Sequence, residues 1–215
     1  VFGYECIKKY LRKNQKILEI GGGSHFLSQY LSFKGYQIVS IEPGNFQGGV
    51  IEKIRDKTKN KKNSNLKIID TNLESFIKNN DISFDFIFSV NVLEHVDNIE
   101  VHLNKALLLL KNNQSIMCIC CPNYSFPYDT HFFKFFIPFF PKFTFTKILK
   151  KRLVKIFGKK KYYELLKGIN FNCTYFKIKK MNFHVKFCNS MRIVFDRFEK
   201  EGHFQERHFT NKLVK

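Results

Sequence analysis

Three consecutive glycines, Gly21-Gly22-Gly23, follow the short apolar run Lys16-Ile17-Leu18-Glu19-Ile20 and precede Phe26, Leu27, Tyr30 and Leu31 at helical spacing. A glycine turn in that place lets backbone approach a bound molecule closely, and the helix behind it offers free N–H groups and a positive end. Glu42 lies 21 residues after Gly21, at the end of a second apolar run. An acidic residue there is placed to accept the hydroxyls of a ribose, as in dinucleotide-binding folds. Asp70 and Asn91 close two further runs, so the polar residues collect where strands end. Cysteine offers less: of six, three crowd into Cys118-Ile119-Cys120-Cys121. No two-by-two metal spacing can be read in them, and buried reduced thiols of a cytosolic protein are expected.

The elements that must position these residues alternate. Strands are expected at 16–20, 36–41, 66–69, 84–90 and 115–121, with helices between them, the clearest from Ile99 to Lys111. That order predicts an α/β, Rossmann-like, doubly wound and mainly parallel sheet covered on both faces. Beyond it, a short helix capped by Asn172 or Thr174 and ending at Met181, a strand at His184–Phe187 and a charged helix at Met191–Glu201 are expected. The chain opens at Val1 in mid-helix and shows no convincing final strand, so both ends are expected to be incomplete.

Glu19-Ile20-Gly21-Gly22-Gly23-Ser24-His25 resembles the first motif, acidic-x-Gly-x-Gly, of class I S-adenosylmethionine-dependent methyltransferases. Phe84-Asp85-Phe86-Ile87-Phe88-Ser89-Val90-Asn91-Val92-Leu93-Glu94-His95-Val96 resembles their fourth-strand signature, in the branch of quinone and sugar O-methyltransferases. Leu109-Leu110-Lys111-Asn112-Asn113 takes the place of that branch's Lys-x-Gly-Gly turn; Asn tolerates the left-handed backbone such a turn would need. The resemblance spans roughly residues 14–130. It implies S-adenosyl-L-methionine as cofactor, bound by Gly21, Gly22, Gly23 and Glu42. Glu19 would serve the amino group, Asp70 the adenine amino group and Leu73 the adenine face, while Ser89 and Asn91 would lie beside the sulfonium. This cofactor has no phosphate, so close backbone contact and a carboxylate suffice. His25 stands where the family has its third glycine, which adds bulk near the methionine moiety.

Methyl transfer from a sulfonium needs alignment above all, and a hydroxyl acceptor gains from a base. His131 and His95 are the candidates; His131 follows a Pro-Asn segment expected to cross the open end of the sheet. A sharper alternative has Glu94, His95 and His131 bind a divalent metal, as similar positions do in some small-RNA and quinone O-methyltransferases. Asn91 stands where those enzymes have a further Glu, and no metal is assigned on the sequence.

After Tyr124 the composition changes. Residues 132–145 contain eight Phe and two Pro, and from His131 to Tyr163 ten Lys or Arg accumulate without one acidic residue. Residues 1–129 hold 16 basic and 13 acidic side chains (+3), whereas 130–215 hold 21 and 5 (+16). The expected organisation is a cofactor-binding core over 1–130, a basic aromatic lid or membrane-facing insert over 131–168, and a C-terminal part of the core over 169–215. Lys147 to Lys161 reads as one helix with an apolar and a cationic face, suited to an anionic membrane surface. The expected activity is methyl transfer to a small or lipid-linked acceptor, a glycan precursor or quinone, in the cytoplasm or peripherally at the inner face of a membrane. RNA as acceptor and a non-catalytic cofactor-binding adaptor are the competing readings.

Overall fold

A computed structural model describes residues 2–44, 50–59, 63–121, 124, 128–129, 131–132, 134–174, 177–178 and 180–181. The expected strand at His184–Phe187, the helix at Met191–Glu201 and Cys188 lie outside these, as do residues 175, 176 and 179 of the helix expected toward Met181.

The chain begins with α1 (Phe2–Ile7) and a 3-10 turn, then alternates β1 (Lys16–Ile20), α2 (Phe26–Phe33), β2 (Gln37–Ile41), α3 (Val50–Lys59), β3 (Leu66–Ile69), α4 (Leu73–Asn79) and β4 (Phe86–Val90). A 3-10 turn (Leu93–His95), α5 (Ile99–Leu107) and β5 (Ile116–Cys120) complete the sheet half. All strand pairs are parallel, in the order β3-β2-β1-β4-β5. Strand order reverses between β1 and β4, and the crevice beyond their C-terminal ends is where open parallel sheets take their ligands.

Alternation along the strands divides the core. Ile17, Ile38, Phe86 and Phe88 pack against α1 and α2 through Ile7, Leu27 and Leu31. Leu18, Ile20, Ile41 and Ile87 pack on the other face against Leu73 and Phe76 of α4 and Ala106 of α5. Both faces are covered, so the strands read as near-continuous apolar runs.

Two local expectations are corrected. The helix from Ile99 ends at Leu107, and Leu110 instead bridges to Phe84. The following turn does not use left-handed Asn: among the described residues, only Asn14, His25, Asn91 and Phe139 have positive φ outside glycine. The Asn112 side chain holds that turn by accepting the Gln114 N–H at 2.9 Å and the Ser115 hydroxyl at 3.3 Å, an Asx turn.

After β5 come the short ribbon β6 (Tyr128–Asp129) with β7 (Lys134–Phe135), then α6 (Pro141–Phe143), a π-turn (Thr144–Ile148), α7 (Lys150–Phe157) and α8 (Lys159–Gly168). The single amphipathic helix expected over Lys147–Lys161 is two helices, broken at Gly158 with φ 79°. Their apolar stripe is not free for a membrane: Leu149, Leu153, Val154, Phe157 and Tyr162 pack with Phe132, Phe136 and Phe145 onto Leu93, Ile99 and Leu103 of the sheet half. Among the described residues none of the five cysteines is in a disulfide. Two pairs sit Sγ to Sγ at 3.4 Å, Cys6 with Cys120 and Cys121 with Cys173. Among the described residues no helix is long and apolar enough to cross a membrane.

Candidate active site

The glycine turn is closed upon itself. Gly21 and Gly22 donate their N–H groups to the Ile41 carbonyl at 2.9 and 3.1 Å, and Gly23 donates to Oε2 of Glu42 at 3.0 Å. All three glycine amides are therefore committed within the chain. Glycine is required by two constraints at Gly21, whose φ is +74° and whose Cβ would lie 2.3 Å from Val92 Cγ2. At Gly22 a Cβ would fall within 3 Å of Ser40 Oγ, His25 Nδ1 and Glu19 Oε2.

Those three groups form a buried relay. Glu19 Oε2 accepts from Ser28 at 2.5 Å and from Ser40 at 2.6 Å. Ser40 has spent its hydrogen on Glu19, so it accepts from His25 Nδ1–H at 2.8 Å. The His25 ring is fully buried and turned toward Ser40, at a backbone φ of 56°. It therefore takes up the left-handed backbone that suits a glycine while directing its bulk into the relay. Burial, then the charges of Arg55 and Lys59, lowers its pKa to about 4. Burial raises Glu19 to about 7 against the pull of its two serine donors.

Asp70 and Leu73 are not drawn into this turn. Asp70 is paired with Arg55 and Lys59 of α3; partial burial opposes its ionisation, but the hydrogen bonds from Lys59 and Arg55 prevail and lower its pKa. Leu73 is buried in the apolar core under the sheet. Ser89 is buried within β4, beside Ile20 of β1. Asn91 is exposed at φ 56°, its N–H bonded to the Cys120 carbonyl at 2.7 Å.

Past β4 the chain gathers a second group of polar side chains. Donor atoms of Glu94, His95 and His131 all lie within 4.8 Å of one another. Glu94 is fully buried, and neither carboxylate oxygen has a hydrogen-bond partner. Burial lifts its pKa to about 7, against the opposing charge of His131. His95 Nδ1 lies 2.6 Å from the Gly168 carbonyl; a carbonyl only accepts, so Nδ1 carries the hydrogen and the lone pair of the neutral ring is on Nε2. The same logic applies to His131, whose Nδ1 is 3.4 Å from Oδ2 of Asp129. The two rings meet edge to face with centroids 5.2 Å apart.

Asp129 is the residue that sequence reasoning missed. Its buried carboxylate also accepts the Tyr124 hydroxyl at 2.9 Å and the backbone N–H groups of His131 and Phe132 at 2.8 and 2.6 Å. Burial alone would lower the pKa of His131, but the hydrogen bond and charge of Asp129 outweigh it and the pKa is raised. An Asp two residues before a His, able to cap its own following turn, was the available signal. The segment after α8 also holds the site from the far side: Asn170 donates its N–H to the Glu94 carbonyl at 2.6 Å and its side-chain amide to the Val96 carbonyl at 2.8 Å. Beside His95 opens a cleft of about 240 Å³ lined by Asp97, Lys167, Asn170 and Asn172.

The profile of a family described as a methyltransferase domain matches residues 5–175. An uncharacterized protein of Mycobacterium tuberculosis, present in two strains, is 35% identical over 139 residues, which are 65% of this chain and 44% of the relative. The chain thus spans under half the length of the curated relatives it matches. Among solved structures, a TehB-like SAM-dependent methyltransferase from Corynebacterium glutamicum aligns with a TM-score of 0.43 at 18% identity, over 55% of this chain and 60% of the other. Coclaurine N-methyltransferase, solved with N-methylheliamine and SAH, aligns with a TM-score of 0.43 at 16% identity, over 55% of this chain and 34% of the other. The family match runs from α1 past the last contacts around His95, taking in the glycine turn, Glu42 and the His131 segment alike, and the chain belongs to the methyltransferase-domain family, whose cofactor is S-adenosylmethionine.

Proposed function

We propose that the protein transfers a methyl group from S-adenosylmethionine to a hydroxyl of a small or lipid-linked acceptor, with His131 receiving the proton. The observation that carries this reading is the buried Asp129 carboxylate beside His131 Nδ1, which leaves the Nε2 lone pair available. The bound cofactor supplies an activated methyl carbon, which the acceptor oxygen takes as the carbon–sulfur bond breaks. The chain's own tasks are then to seat the nucleoside, align the acceptor and hold the proton. Glu42 already bonds the glycine turn through Oε2, and its other oxygen serves the ribose. The small polar cleft beside His95 suits a polar, hydroxyl-bearing group. Calorimetric titration with S-adenosylmethionine, followed by a screen of cell extract with labelled methyl donor, tests the reading. A folded chain that binds no S-adenosylmethionine would overturn it and favour the adaptor.

A second reading of the same side chains is favoured by one specific observation. Glu94 is a buried carboxylate without a hydrogen-bond partner, and two imidazoles, each with its lone pair on Nε2, adjoin it. Glu94, His95 and His131 are a fitting donor set for a divalent cation. Such an ion would supply Lewis acidity and orient the acceptor oxygen. Elemental analysis of purified protein, with Glu94→Gln as the reference, separates the readings: stoichiometric metal lost in that variant supports the cation, and equal content in both refutes it.

A further inference from the structure

We infer that the turn from Phe135 to Ile148, and not the cationic helices behind it, is a docking surface for an anionic lipid bilayer. This goes beyond methyl transfer and stands independently of it. The phenylalanines of the insert are sorted into two sets. Phe132, Phe136 and Phe145 are buried in the cluster that joins the insert to the sheet half. Phe135, Phe139, Phe140 and Phe143 are 63, 65, 61 and 52% exposed, with Ile137 and Ile148 at 44 and 54%. An apolar display of this density on one turn marks an interaction site.

The display is built by the fold. Phe140 donates its N–H to the Ile137 carbonyl at 2.9 Å, and the Thr144 hydroxyl accepts from Ile137 N–H at 3.0 Å while donating to the Phe140 carbonyl at 2.9 Å. The clamp holds Phe139 at φ 67°, a conformation that is costly for a bulky residue.

Charge selects the occupant. Lys142 and Lys147 lie within the aromatic turn, Lys134 directly precedes it, and residues 131–163 contain no acid. A second copy would bring the same charge and be repelled. Residues 182–215 carry 7 basic and 4 acidic side chains, so that segment is also a poor electrostatic match. An anionic bilayer meets both demands, taking the rings at the headgroup boundary and the ammonium groups at its phosphates. Phe132 both follows Asp129 as a hydrogen-bond donor and packs on Phe145, so docking would bring a membrane-borne acceptor toward His131.

The test is co-sedimentation of the full chain with vesicles of phosphatidylcholine alone or mixed with phosphatidylglycerol. Pelleting is expected with the anionic vesicles only, weakened by salt, each engaged cation being worth about fivefold in partitioning. The variant carrying Phe139→Ser, Phe140→Ser and Phe143→Ser, checked for an unchanged melting temperature, should partition at least tenfold less. If it fails to fold, Lys142→Glu with Lys147→Glu serves, with roughly 25-fold or greater loss expected from removing two cations. Equal pelleting of wild type and a folded variant would overturn the proposal, as would absence of wild type from the anionic pellet. Binding to single-stranded RNA that the Phe variant loses, without any pelleting, would assign the surface to nucleic acid and also overturn it.

Discussion

The sheet half and the segment after β5 use the same side chains under different rules. In the sheet, Phe86 and Phe88 are fully buried because a parallel sheet has helices on both faces and its inner strand β4 is hidden on both. In the insert, Phe132 and Phe145 are as deeply buried while Phe139 and Phe140 are mostly exposed, because a single layer laid against the sheet half has one covered face. The difference teaches that apolar density predicts burial only when the architecture supplies two faces. It also divides the site: the glycine turn and Glu42 belong wholly to the sheet, whereas the tautomer of His95 and the pKa of His131 are set by Gly168 and Asp129.

The sharpest way to break this division is at His131. His131→Ala should lower turnover by roughly 10²- to 10⁴-fold with nearly unchanged affinity for S-adenosylmethionine; if calorimetry shows affinity falling in step, the two halves are one unit. Activity should also climb as pH rises through the pKa of His131, which the Asp129 carboxylate raises, because the base works only when neutral. Next in size is Phe145→Ala, expected to cost about 3 to 5 kcal/mol in denaturant unfolding. A loss that appears as a separate early transition, leaving the sheet's transition in place, would make the insert an independent unit.

Glu94→Gln sharpens the comparison through pH. The folded pKa of Glu94 is raised to about 7, above its unfolded value, so the stability tied to its proton is present at low pH and lost as pH rises through that value. Between pH 5 and 8 the Gln variant should gain on the wild type by about 1 to 3 kcal/mol, as read from paired urea titrations. Glu42→Ala, on the sheet side, should weaken cofactor binding by about 1 to 3 kcal/mol without moving the pH profile of turnover. The smallest effect is expected at Phe140→Ser, within about 0.5 kcal/mol of wild-type stability; a larger loss would mean that the exposed rings support the fold.

Much of the sheet was legible because buried parallel strands are short apolar runs with polar residues at their ends. Tyr36, Phe84, Asp85, Ser115 and Cys121 fall outside strands whose remaining residues the run predicts within a place or two. The Leu107–Leu110 run was not legible as a helix end, since leucine favours helix and only the bridge to Phe84 shows why the chain turns there. The break at Gly158 was visible as a glycine between two basic stretches but not as a change of direction. In the site, the glycines and Glu42 follow a local motif. Asp70 could be placed at its strand end, yet its capture by Arg55 and Lys59 depends on how α3 folds back. The burial of Asp129 was not legible for the same reason: it comes from the packing of Phe132 and Tyr124, which no periodicity in the intervening residues announces.

The carbonyl of Gly168 that fixes the His95 ring lies 73 residues down the chain, whereas Glu42 reaches the glycine turn across only 19. At synthesis rates of roughly 5 to 20 residues per second, the first distance takes about 4 to 15 s to make and the second about 1 to 4 s. The two halves of the site are therefore born at different times. A growing chain holds every residue of its glycine turn well before the segment that orients the two histidine rings has been made.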